Sequence, residues 1–208
     1  MAAAASPAGP AGDPGGQGDR ARYAALAREV ARELDLLRAD PRAYARHLRD
    51  LAPRYDGKLL RLDGRDPIRT REGRKPLDEA IRFLERSPRR GPLRWEPGLA
   101  RAAAAHAADL GARGVVDHFG ANGESPLDRV ARFGILQGPG GENIAVAFAD
   151  ARLVVLYLLI DDGVPDRGHR KAMLDPRYEQ VGVGCSAHVR YRTVCVMDLA
   201  AGYASLVR

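Results

Sequence analysis

No stretch of this 208-residue chain approaches about 18 uninterrupted apolar residues, so the sequence offers no membrane-spanning helix. Its longest apolar run, Leu153 to Ile160, has the length of a buried core segment. Zinc-finger spacing, a recognition helix and an aromatic-studded basic strand are all missing, which argues against nucleic acid as a partner. No HExxH is present. Ser125 and Ser186 lack the surroundings of a nucleophilic serine. Gly138 to Gly141 lacks the strand, the helix and the Lys-Ser/Thr of a phosphate loop. There is no internal repeat. Residues 1–18, MAAAASPAGPAGDPGGQG, have neither a basic n-region nor an apolar h-region, so they are not an intact signal peptide. They read as a disordered tail or a truncated leader.

Lysine is also scarce, with three among the 33 basic residues. The formal net charge of +6 is uneven. Residues 19–94 hold 21 Lys and Arg against 13 Asp and Glu, a net +8, and the remainder holds 12 against 14, a net −2. Such a surplus suits anionic partners, but arginine in place of lysine points first to a compositional bias.

The two cysteines, Cys185 and Cys195, lie in VGVGCSAHVRYRTVCVMDLA. Alternating apolar residues flank each, and a polar turn separates them, which predicts a hairpin. Both are five residues from Arg190, so a hairpin centred there sets them opposite each other. That spacing favours a disulfide, and an oxidising compartment, over two buried thiols.

Periodicity predicts a helix from residue 19 with a stripe of Tyr23, Leu26, Val30, Leu34 and Leu37, then a second from Pro41 to Leu51 after an Asp40 cap. Residues 52–75 read as irregular, with at most a short strand at Lys58 to Leu62. Further helices are expected at Pro76 to Glu85, Leu99 to Ala112, Ser125 to Phe133, Ala149 to Ile160 and Arg170 to Leu174. Gly134 to Gly141 reads as a glycine-rich loop. Strands are expected at 181–187 and 193–199, with an earlier one near Val115-Val116 or Ile144 to Val146. Helices followed by a terminal hairpin make an α+β domain.

Five histidines are present. His47 sits in an arginine-rich helix, His106 on a helix's apolar face and His188 in the hairpin turn. Solvation or core packing accounts for each. His118 follows Asp117 just past a helix end, Glu142 follows a run of glycines, and His169 lies in RGHRKAML. Two histidines and a carboxylate suit a divalent transition metal or acid–base work on a water. Their spacing matches no local metal motif.

Four segments in order carry a resemblance: LRWEPGLARAAAAHAADLGARGVVDHFG, GGENIA, GHRKAMLDP and the following VGVGC. Over residues 93–203 the chain resembles the CAP superfamily of cysteine-rich secretory, antigen 5 and pathogenesis-related proteins, in a bacterial branch with a helical N-terminal extension. The resemblance implies an α-β-α sandwich with a small antiparallel sheet and a groove lined by two histidines and two acidic residues. His118, Glu142 and His169 match three of those positions. The family's fourth is a glutamate, and here the matching segment reads LVVLYLLIDDG, so Asp161 or Asp162 is its substitute. Asp162 joins His118, Glu142 and His169 as the expected ligand-binding set. His118 and His169 are the expected metal ligands, zinc first, and His118, Glu142 and His169 the catalytic candidates. Gly168 is expected to supply the tight turn before His169, and Arg170 to reach a carboxylate or solvent.

The organisation expected is therefore a tail at 1–18, a helical extension at 19–92 and a CAP-like domain at 93–208. Three functions stay open. The first is a secreted or envelope binding module holding a divalent cation, a small ligand or a cell-surface component. The second is a metal-dependent hydrolase using the same groove. The third is a structural or interaction domain without a ligand.

Overall fold

The computed structural model describes residues 16–206. Most of the expected tail, residues 1–15, lies outside them, while Gln17 and Gly18 already belong to the first helix. That helix, α1 (Gln17–Ala39), buries the stripe that periodicity predicts. It stops where Asp40 caps α2 (Pro41–Leu51), the Asp40 carboxylate accepting from the Ala43 amide at 2.9 Å. A 3₁₀ turn (Ala52–Arg54) leads into three two-residue strands, β1 (Tyr55–Asp56), β2 (Leu59–Leu60) and β3 (Ile68–Arg69), paired antiparallel. Then come α3 (Lys75–Arg86), β4 (Arg94–Trp95) and α4 (Pro97–Arg113), which Gly114 closes in a left-handed cap.

After α4 the chain forms α5 (Pro126–Ala131), β5 (Gly134–Val146), α6 (Ala151–Ile160), α7 (Gly168–Met173), β6 (Gln180–His188) and β7 (Arg192–Ser205). Ser125 and Asp128 form a reciprocal capping box at the start of α5. The main sheet has the order β4-β6-β7-β5. β5, β7 and β6 are antiparallel, and the short β4 runs parallel to β6.

Helices cover both faces of this sheet, giving the α-β-α layering of an α+β domain. On one face α4 lies so close to β6 that a Cβ at Gly182 would come within 2.1 Å of the Ala100 amide, and one at Gly184 within 2.1 Å of the Ala104 amide. Side chains larger than hydrogen are therefore excluded from these two positions. On the other face Val183 and Met197 join Val30, Leu34 and Leu159 in the largest apolar cluster. That cluster also takes in Leu48, Leu77 and Leu84, so the helices before residue 93 share a core with the sheet. Leu34, Leu48 and Leu159 have no exposed surface, and burying each contributes about 2 kcal/mol. Helix α6 is apolar apart from Arg152, and Val154 to Leu156 and Leu158 to Ile160 are buried.

Cys185 and Cys195 are register partners in β6 and β7 and are joined by a disulfide. The glycine-rich segment from Gly134 is strand, not loop. Eleven residue pairs tie β5 to β7, with a register shift between Gln137 and Gly140. The glycine at 134 makes room for a neighbour, since a Cβ there would lie 2.4 Å from the Tyr203 ring. Val115-Val116 forms no strand. The Val115 carbonyl instead accepts a hydrogen bond from His188 Nε2 at 3.1 Å.

Candidate functional site

Strand β5 lies at the edge of the sheet, and the site is built around its residues Glu142 and Asn143. Neighbours on a strand point to opposite faces. Glu142 goes to the side of α4 and α5, where its side chain is only 2 % exposed. Its Oε1 lies 2.7 Å from His118 Nδ1 and its Oε2 2.7 Å from Arg129 Nη2. The same Arg129 nitrogen donates to the His118 carbonyl at 3.0 Å, tying the turn after α4 to α5. His106 approaches from α4, with Nε2 3.9 Å from Glu142 Oε1 and 2.9 Å from the Asp117 carbonyl.

Across the sheet, Asp198 is the register partner of Glu142, and it is wholly buried. Burial first, then the neighbouring Glu142 charge, pushes its carboxyl well above the usual range and favours its protonated form. The two histidines beside Glu142 move in opposite directions. The hydrogen bond to Glu142 raises the His118 value, while burial lowers that of His106. Four buried polar atoms here lack a protein partner: His106 Nδ1, Arg129 Nε, Arg129 Nη1 and Asp198 Oδ2. Such a concentration of unpaired donors and acceptors suits internal water.

On the other face, Asn143 donates to the His169 carbonyl at 3.3 Å. His169 lies in the first turn of α7, and its Nδ1 lies 2.6 Å from Asp161 Oδ1. The other Asp161 oxygen accepts from the Arg170 amide at 3.3 Å. Asp161 caps α6 in the left-handed region, φ 58°, which aims its carboxylate back at the start of α7. The left-handed turn before His169 is made by Arg167, φ 54°, and not by Gly168.

Asp161, and not Asp162, therefore stands beside His169. The Asp162 carboxylate accepts from the amides of Arg71 and Glu72, at 2.6 and 2.9 Å, which holds it away from either histidine pair. Its neighbours complete a clamp. Arg167 grips both oxygens of Glu72 at 2.7 and 2.8 Å and reaches Glu79 at 2.9 Å. Arg167 and the Gly163 amide hold the Glu72 carboxyl down near 2. The loop that carries His169 is thus fastened to residues 71–79. Arg170 reaches no carboxylate. It is buried and donates to the carbonyls of Leu159, Ile160 and Pro76, and burial draws its guanidinium down to about 10.

The expected set thus arrives as two histidine–carboxylate pairs flanking the free edge of β5, His118–Glu142 and His169–Asp161. A carboxylate only accepts, so each Nδ1 carries the hydrogen and each Nε2 is left with an available lone pair. Neither Nε2 has a hydrogen-bond partner among the described residues, and the His118 ring is half exposed. All four carboxylate oxygens are already engaged. Among the described residues, no group of three or more His, Cys, Asp or Glu side chains is arranged to hold a metal ion. Protein-bound zinc takes three or four protein ligands, which two imidazoles do not supply.

Arg129 and Asp198 escaped the sequence reading. Asp198 had a signal: with Val194, Val196 and Ala200 it falls on one inward face of β7, where a charged residue is out of place. His106 was read as a core residue, and it is one, buried to 1 % exposure, yet it also abuts Glu142.

The chain belongs to the cysteine-rich secretory protein family, CAP, whose family model matches residues 70–199. It is 32% identical over 93 residues to the uncharacterized protein YkwD of Bacillus subtilis (strain 168), a match covering 45% of this chain and 34% of that protein. The match thus spans about a third of that relative's length. Among solved structures, it is similar to an extracellular protein containing a SCP domain from Bacillus anthracis (TM-score 0.43, 24% identity, 60% of this chain and 37% of that one). It is also similar to an outer surface protein of Borrelia burgdorferi (TM-score 0.45, 18% identity, 52% of this chain and 76% of that one).

Proposed function

We propose that this chain is an extracytoplasmic binding module whose site, at the edge of β5, takes a small polar ligand between the His118–Glu142 and His169–Asp161 pairs. One observation carries the reading: both pairs tie down Nδ1 and leave Nε2 free. A fixed tautomer on a held ring is a prepared hydrogen-bond acceptor, and on protonation a donor. The disulfide fits an oxidising compartment, as does the secretory family. No helix among the described residues is long and apolar enough to cross a membrane.

A divalent cation is the second reading, favoured by the same two nitrogens. It would have two protein donors and need a bound ligand or water to complete its coordination.

The test is a fragment screen followed on the histidine ring nitrogens by NMR, with chelator-treated wild type beside His118→Ala/His169→Ala. A bound fragment that shifts both Nε2 signals, and that the double variant fails to bind, supports the module. Rings that respond to no fragment, in a protein whose stability the double variant lowers, leave the pairs with a structural role.

A further inference from the structure

We propose that the hollow between the outer face of α3 and the segment Ser87–Arg90 binds a phosphate ester carried on an apolar body, at a site separate from the two histidine pairs. The hollow has a volume of about 500 Å³, within the ~300–1,000 Å³ typical of small-molecule pockets. Arg82, Arg86 and Arg90 line it beside Phe83 and Leu174. Arg82 and Arg86 stand four residues apart on α3, so both point the same way from one helix face, where like charges weaken a helix. Among the described residues none of the three arginines forms an ion pair. The one carboxylate in the lining, Glu79, is taken by Arg167.

Two further arginines stand close by, each hydrogen-bonded to carbonyls. Arg170 lies on the Phe83 ring, 6.0 Å from its centroid, and bonds only to neutral carbonyls. Arg38, whose carbonyl holds the Arg90 amide at 2.7 Å, likewise gives its donors to carbonyls. Among the described residues, Arg90 Nε is buried without a partner. An orphaned buried guanidinium nitrogen is costly and is satisfied by an oxygen acceptor entering the hollow. Three guanidinium groups around one hollow match the several oxygens and double charge of a phosphomonoester. The exposed side of Phe83, with Leu174 and Pro88, offers the apolar contact.

The test is calorimetric titration of the full chain with phenyl phosphate, inorganic phosphate and phenol. The result expected is saturable one-to-one binding of phenyl phosphate, weaker binding of inorganic phosphate and none of phenol. Arg86→Gln/Arg90→Gln lowers the affinity about tenfold or more, and Phe83→Leu narrows the gap between the two phosphates. Arg82→Gln/Arg86→Gln, at two exposed positions and with Arg90 untouched, gives the same loss. His118→Ala/His169→Ala leaves the binding intact. Phosphatidylcholine vesicles with and without phosphatidic acid distinguish the source: displacement of phenyl phosphate only by the acidic vesicles assigns the ester to a lipid headgroup, and no displacement assigns it to a soluble molecule. Absence of saturable phenyl phosphate binding, or binding that the arginine variants leave unchanged, overturns the proposal.

Discussion

Glu142 and Asp198 face each other across β5 and β7, and Arg129 and His118 contact Glu142 directly. Arg129 and His118 pair with Glu142, while burial, first, and the neighbouring Glu142 charge raise the Asp198 carboxyl well above the usual range and favour its protonated form. Asn is the neutral isostere of that protonated acid. Asp198→Asn should therefore change stability by no more than about 1 kcal/mol at neutral pH, whereas Asp198→Ala should cost about 1–3 kcal/mol through the lost partner and the space left behind. The infrared carbonyl band of a protonated carboxylic acid should persist in the wild type above the ordinary carboxylate range and be missing from Asp198→Asn. The folded value lies above the unfolded one, so this contribution to stability is whole below the ordinary carboxylate range and fades as pH rises through the folded value.

The histidines on either side of Glu142 should titrate apart. His118 has a folded value above its ordinary 6.5. Its pairing adds stability that is complete below that value and is lost as pH rises through the higher folded one. His106 has a folded value below 6.5, so its contribution is complete above that value and is lost as pH falls through the lower folded one. NMR titration of the ring signals should show the two midpoints on opposite sides of 6.5, and Glu142→Gln should bring the His118 midpoint down.

Arg129 is 2 % exposed and is the one guanidinium on Glu142. Arg129→Met leaves a buried carboxylate with His118 as its remaining ion-pair partner and should lower unfolding free energy by about 3–5 kcal/mol in urea denaturation. The turn at His118 should lose order as well, because the His118 carbonyl loses its donor.

The clamp between residues 71–79 and the His169 loop gives a separate handle. Arg167→Met removes the bidentate bond to Glu72 and the bond to Glu79, and should cost on the order of 2 kcal/mol. Hydrogen exchange should rise first at 161–170 and at 71–73, with little change at His118. Equal exchange at both histidines would mean that the two pairs are not independently held.

The disulfide closes a short loop, its cysteines ten positions apart. Chain entropy gives such a closure about 2–3 kcal/mol. Cys185→Ala/Cys195→Ala should lower stability by about that much, and thiol counts with and without reductant should differ by two in the wild type.

The sequence was most legible where a local rule and the tertiary structure agree. Asp40-Pro41 ended one helix and capped the next, Ser125 and Asp128 closed their box, and the symmetry about Arg190 paired the cysteines. It was least legible where a distant partner decides. Glycines from residue 134 signal a loop locally, but β7 recruits them as a strand and Tyr203 fills the space a side chain would have taken. Asp161 and Asp162 are indistinguishable in sequence. The left-handed cap on α6 turns one toward His169, and the amides at 71 and 72 capture the other. Arg129 acquires its role only through the folding of α5 against β5.

The most direct test of a shared site is NMR titration of the histidine ring nitrogens in chelator-treated protein with a small polar fragment, which reads whether one ligand reaches both Nε2 atoms. The account predicts one-site binding that shifts both signals, that each of His118→Ala and His169→Ala weakens and that the double variant abolishes. Wild type and double variant that behave alike would contradict it, and would leave the two histidine pairs as separate fastenings of the fold.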